Sequence, residues 1–301
     1  MRNMVARSPR FSRSCGRAIR PSDRVGTAPF GRPAAQRRSF FEYHESVRQS
    51  DSRKTGLARA LSKLGYCSRS QAGELIRAGR VTLNGATRRD PESPVRIDRD
   101  QIAVDGLAIK AAENIYMMMN KPRGLVTTAS DEKGRDTVYS LLAGGDQLPW
   151  LAPVGRLDKA SEGLLLITND SEWGARITAP ETHLPKTYHV QVAAIASEDV
   201  IQTIERGVDT GDGELLKALR CRLLRYGHKN CWLEITLDEG KNRHIRRMLA
   251  ALDIEVLRLL RVSIGPLQLG KLPKGAHRSL TSEEKTALDG AMDGSRSRAN
   301  L

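Results

Sequence analysis

The chain has no apolar stretch long enough to cross a bilayer. A spanning helix takes roughly 18 consecutive apolar residues, and the longest runs here are a handful, such as Ile115 to Met119. No membrane partner is expected. The four cysteines, Cys15, Cys67, Cys221 and Cys231, form no CxxC pair and no ligand grouping with the six histidines, which argues against a metal site and for reduced thiols in the cytoplasm. Acidic residues are scarce at one end: residues 1 to 55 hold 13 basic side chains against 4 acidic ones, leaving 36 against 31 for the rest. The formal charge of +14 favours a polyanionic partner such as RNA, but most of the excess sits in that tail.

The tail is rich in Arg, Ser, Pro and Gly and lacks apolar periodicity, so it buries too little surface to offset the entropy of ordering, and disorder is expected. Arg7, Arg10, Arg13, Arg17, Arg20 and Arg24 recur every three or four residues, as in organelle transit peptides. Pro9 and Pro21 interrupt any long helix, however, and no apolar face opposes the arginines. A basic arm that touches RNA, or a start codon placed too far upstream, accounts for the segment as well. A cytoplasmic monomer is the expectation.

At 301 residues with 39% apolar content the remainder can form two or three folded domains. Leu57, Ala60, Leu61 and Leu64 fall on one helical face, and Gly65 stands where a left-handed cap would end the helix. Ser68 with Gln71 forms a capping-box pair opening a second helix that runs to Gly79. Alternating Val81 and Leu83 then lead into Asn84-Gly85, a type I′ hairpin signal. Two short helices and a hairpin, with Arg69, Arg77 and Arg80 at the helix ends and turn, resemble an S4 RNA-binding domain over residues 56 to 110. The resemblance implies that those three arginines meet RNA.

Beyond a brief linker at Ala111 to Asn114, strands are predicted at Ile115 to Met119, Leu164 to Thr168, Tyr188 to Val192, Cys231 to Leu237 and Val256 to Leu260. Few helices interleave without strict alternation, which predicts an α+β fold with a mixed or antiparallel sheet over residues 111 to 288. The small and charged residues from 289 to 301 read as a second disordered tail.

The run from Gly155 to Asp170 carries the chemistry. Arg156 and Asp158 stand two positions apart in a loop bracketed by Gly155 and Gly163, and four apolar residues follow directly. That frame fixes a carboxylate beside a cation at the mouth of a buried strand, with both side chains on one side of the extended loop. The run resembles the signature of pseudouridine synthases, in particular the ribosomal RNA enzymes that carry an S4 domain. The resemblance implies that Asp158 is the nucleophile. Pseudouridine formation breaks the C1′–N1 bond of a uridine, turns the base and rejoins it through C5, with no redox change and no hydrolysis, so no cofactor is implied. Arg156 can keep the carboxylate charged, or exchange partners when a base flips in.

Lys186 to Val192 alternates and places Tyr188, Val190 and Val192 on one strand face. By the resemblance Tyr188 stacks on the flipped base and accepts the C5 proton, although a protonated phenol is a poor base for the second task. Glu239 to Met248 gives a third match, in which Asn242 can cap a helix with Ile245, Met248, Leu249 and Leu252 on its apolar face. Arg243, Arg246 and Arg247 are left toward the rim, where they call for an anion such as phosphate or Asp158. The resemblance puts Lys241 and Ile245 in the pocket. His244 stands where Gln is more usual in the family, and Asp253 where Gly commonly ends the helix, which requires a left-handed Asp. Asn120 to Thr128 matches too, and Lys121 and Arg123 flank a Pro in a stiff cationic loop suited to phosphate.

The expected activity is isomerisation of a uridine in ribosomal RNA, with the Asn242-Arg243 pair leaning toward the large subunit. A noncatalytic RNA-binding or ribosome-assembly protein on the same fold is the alternative, and retention of Asp158, Tyr188 and Lys241 together argues against it. A glycoside hydrolase is disfavoured, since Glu162 is the one other carboxylate near Asp158 in that run before Asp170.

Overall fold

The computed structural model describes residues 54–128, 134–142 and 149–298. Leu57, Ala60, Leu61 and Leu64 are buried along α1 (Leu57–Lys63) and its cap, and Gly65 closes the turn in the left-handed conformation at φ 74°. Ser68 and Gln71 make the reciprocal bonds that open α2 (Arg69–Arg77). Asn84 and Gly85, both at positive φ, turn β1 (Val81–Leu83) into β2 (Ala86–Arg88). β3 (Ile102–Val104) pairs with β1, and β4 (Leu107–Ala108) with β3. Val81, Leu83, Ile102 and Val104 close a core over the two helices that is separate from the rest. Thr55 already pairs with Val95, one residue ahead of the expected start of order. The expected disorder of residues 1 to 53 lies outside the described residues.

The second part is built on β5 (Tyr116–Lys121), β6 (Ala152–Val154), β7 (Glu162–Thr168), α3 (Ser171–Thr178), β8 (Lys186–Val192) and α4 (Glu198–Arg206). There follow β9 (Arg220–Tyr226), β10 (Cys231–Leu237), α5 (His244–Ala250), β11 (Val256–Ile264), β12 (His277–Ser279) and α6 (Ser282–Arg298). The strands join one mixed sheet in the order β9-β10-β8-β11-β7-β5-β12, with β6 beside β7. The α+β expectation holds. On one face Val190, Val192, Cys231, Leu233, Ile235 and Leu237 pack under α4 and α5. β7 is buried along its whole length because both its faces are covered. Leu164 and Leu166 meet α3 and α6, while Leu165 and Ile167 meet Met117, Met119 and Leu157.

The predicted frayed end is corrected as far as Arg298. Ser282–Arg298 is helical, and Leu288 and Met292, one turn apart, are buried against Trp173 and Ile177 of α3. Two apolar residues at helical spacing outweigh the small residues around them.

All pairings in the large sheet are antiparallel except β7 with β11, where Leu260 pairs with Glu162 and Arg261 with Gly163. Gly163 sits there at φ 103°, and a Cβ on it would collide with the backbone N and O of Arg261. Both the dihedral and the space demand glycine. Gly163→Ala should cost about 2 to 5 kcal/mol, read as a loss of unfolding free energy in urea. An unchanged midpoint would show that the strands can separate at that point without penalty.

Candidate active site

The loop from Leu157 to Ser161 is held at every carbonyl. Thr127 Oγ1 donates to Leu157 O at 2.8 Å, and Lys121 Nζ donates to Asp158 O at 3.2 Å and Ser161 O at 2.9 Å. The Gly124 amide meets Lys159 O at 2.8 Å, and Arg246 Nη2 meets Ala160 O at 3.2 Å. Five carbonyls in a row are thus fixed by groups from the end of β5, the loop after it and α5. Such a loop carries its side chains in one place, so the carboxylate needs little reorganisation before reacting.

Lys121 departs from its expected role. It is fully buried, so it does not reach phosphate; its third hydrogen bond goes to Pro122 O at 3.1 Å. Burial pushes its ammonium down to about 8, against the opposing pull of Asp158 and Glu162. Arg123 keeps its exposure beside the loop, with Nη1 3.5 Å from Leu257 O.

The Asp158 carboxylate faces a cavity of about 590 Å³ that Arg156, Tyr188, Lys241, Arg243 and Ile245 also line. Its cationic neighbour is Arg243, whose Nη1 stands 3.6 Å from Oδ2. Arg156, expected to hold that charge, makes no ion pair with it among the described residues. Asn242 does not cap α5. The cap position is Arg243, in left-handed backbone at φ 48° with no capping side-chain bond. A non-glycine residue there costs about 1 to 2 kcal/mol, and that backbone stands where the guanidinium meets Asp158. Asp253 takes the expected left-handed conformation at φ 56°.

The other basic residues of this segment are drawn elsewhere. Lys241 lines the cavity, but its ammonium lies 3.1 Å from Glu239 and 3.4 Å from Glu214. Arg247 pairs with Glu214 at 2.6 Å and Asp212 at 2.8 Å, so it faces that acidic turn and not the rim. Arg246 is spent on the backbone of Ala160 and Val256. His244 is buried in the cavity wall, and burial holds its imidazole below the ordinary value. In the helical N-terminal domain Arg69 and Arg77 are exposed without acidic partners among the described residues. Arg80, by contrast, is held by Asp105 through two bonds of 2.9 and 2.5 Å.

Two further cations line the cavity. Arg261 is buried and donates to Leu164 O at 2.7 Å. Lys186 is pushed down to about 8 by burial and then by Arg261. The alternation that brought out Tyr188 carries a signal for Lys186, two positions earlier on the same strand face. A smaller cavity of about 260 Å³, bordered by Ser62, Trp150 and Asn169, shares Val154, Gly155 and Thr178 with the large one. The two cavities therefore share one wall. Among the described residues no cluster of His, Cys, Asp and Glu could hold a metal, and no helix is long and apolar enough to cross a membrane.

Residues 115–251 match the family model for RNA pseudouridylate synthase, and residues 55–102 match that for the S4 domain. An RNA pseudouridine synthase of Aquifex aeolicus is 38% identical over 76% of this chain and 91% of its own length. The ribosomal large subunit pseudouridine synthase B of Bacillus subtilis is 35% identical over 79% of this chain and 96% of its own. A solved pseudouridylate synthase superposes with a TM-score of 0.54 at 31% identity, covering 78% of this chain and 99% of that one. With relatives of that identity matched over nearly their full length, this chain belongs to the RNA pseudouridine synthases, with an S4 domain ahead of the synthase fold.

Proposed function

We infer that this synthase isomerises a uridine of ribosomal RNA with Asp158 as its nucleophile. The observation that carries the reading is a carboxylate on a loop with five consecutive held carbonyls, facing a cavity with Tyr188 and Arg243. Asp158 attacks the ribose or the base and forms a bond to it, the C1′–N1 bond breaks, and the carboxylate leaves again as C1′ rejoins the turned base at C5. N1 gains a proton and C5 loses one, so atoms balance with no cofactor. Tyr188 stacks on the flipped base and stands to take the C5 proton. Arg156 and Arg123 are open to the phosphates beside the target. Flipping costs a few kcal/mol, least in a loop, so an unpaired uridine is the fitting target.

Large-subunit RNA is the preferred substrate, on the name of the Bacillus subtilis relative and the Asn242-Arg243 pair. We take the protein to act as a monomer in the cytoplasm, where it meets ribosomal RNA. We place the domain limits at 56–110 and 111–288, with α6 continuing past the second.

RNA tritiated at C5 of uridine tests the activity, since each turnover releases label to water. Wild-type protein should release it from a ribosomal RNA transcript without added metal or nucleotide. Absence of release from both subunit RNAs would favour the noncatalytic alternative. In the S4 domain, Arg69→Gln with Arg77→Gln should lower the log–log salt slope of RNA binding by about 0.7 to 0.9 per lost contact. Arg80→Gln should change it less, because Asp105 already occupies that guanidinium. Equal slopes in all three proteins would remove the helix pair from the RNA interface.

A further inference from the structure

Residues paired across antiparallel strands share a face of the sheet. Arg225 pairs with Trp232, Trp232 with Gln191, and Gln191 with Arg258, a row crossing β9, β10, β8 and β11. The adjoining row runs Arg222, Glu234, His189 and Leu260. Arg220, Thr236 and Thr187 begin a third. Along β10 these positions alternate with the buried Cys231, Leu233, Ile235 and Leu237, which pack under α4 and α5. Tyr188 packs on that core side. The three rows therefore lie on the reverse of the sheet from the Asp158 cavity, where alternate side chains of β10 remain half-open to solvent.

This face is cationic. Of its two acids, Glu234 pairs with Arg222 at 2.6 Å and lies 3.3 Å from His189, and Glu162, opposite Leu260, is buried. Arg258 pairs with the buried Glu162, which Lys274 also meets. Arg220 and Arg225 have no acidic partner among the described residues. The guanidinium carbons of Arg225 and Arg258 lie 4.8 and 5.5 Å from the Trp232 ring centroid, so two cations are braced on one aromatic. Trp232 and Leu260 are the only large apolar groups in the rows, too few for the core of a protein interface. Guanidinium planes and an aromatic on a half-open sheet face suit the phosphates and base faces of single-stranded RNA.

We propose that this reverse face is a second RNA-binding surface, taking a single-stranded stretch of the substrate RNA at a distance from the target uridine. The proposal rests on the RNA substrate reading above. Arg220→Glu with Arg225→Glu tests it on two probes: a ribosomal RNA transcript of domain length and a short hairpin carrying the target. Affinity for the long transcript should fall tenfold or more, and its salt slope by about 1.5, while tritium release from the hairpin stays at the wild-type rate. Ultraviolet cross-linking to oligouridine should map to Trp232 and vanish in Trp232→Phe. Unchanged long-transcript affinity and slope, or a cross-link that never reaches Trp232, would overturn the proposal. So would loss of binding to a polyglutamate peptide with RNA binding intact, which would mark a protein-docking face. Failure of wild-type protein to act on the hairpin would strike the catalytic reading alone, because the long-transcript affinities are read without turnover.

Discussion

Asp158→Asn is expected to lower pseudouridine formation by about 10⁴-fold or more while leaving RNA affinity within a few-fold. The amide keeps the size of the carboxylate but is neither anionic nor nucleophilic. The loop should hold its shape, because its five carbonyl bonds come from Thr127, Lys121, Gly124 and Arg246 and none involves the Asp158 side chain. What is lost in the fold is one half-exposed ion pair with Arg243 at 3.6 Å, a contact worth at most about 1 kcal/mol. Activity should therefore collapse with stability nearly unchanged. Tritium release by the Asn variant at the wild-type rate would take Asp158 out of the mechanism.

Lys121→Met should damage stability and activity together. Methionine fills the volume but leaves the carbonyls of Pro122, Asp158 and Ser161 without their shared donor, at a cost of about 2 to 5 kcal/mol. The released loop should lower turnover by tenfold or more even where the protein remains folded. A pH series separates this role from simple packing. The buried ammonium titrates near 8, against 10.5 for the free side chain. Between those values the unfolded chain holds a proton that the folded chain does not, so Lys121 adds stability as pH rises through the window, by at most about 1.4 kcal/mol per unit. The gap between wild type and variant in urea unfolding should widen from pH 8 to pH 10. A gap that stays constant or narrows would mean that Lys121 is not the desolvated group described.

Local signals proved readable where the physics is local. The Ser68–Gln71 box, the Asn84-Gly85 turn and the alternation of Tyr188 to Val192 each depend on residues a few positions apart, and each stands in the structure. The functions of the basic residues are settled at long range. Lys121 reads as a loop cation until the carbonyls of residues 158 and 161 close over it. Arg247 reads as a rim cation, and Lys241 as a pocket cation, until Asp212 and Glu214 arrive from a separate turn. The strand at Arg220–Tyr226 escaped notice because, at the sheet edge, it buries only Cys221. Residue type favours Asn242 over Arg243 as the cap; the left-handed turn falls on Arg243 instead, beside its contact to Asp158.

The carbonyl-held loop also sets an order of events during synthesis. The S4 core closes with contacts that end at Ile109, all within about fifty residues, and can form as soon as that stretch leaves the ribosome. The catalytic loop cannot: Ala160 awaits Arg246, 86 residues later, and the strand behind it awaits Arg261. A nascent chain thus completes its S4 module well before the Asp158 loop is held in place. Truncation between about residues 110 and 265 should leave a protein that holds RNA and modifies none.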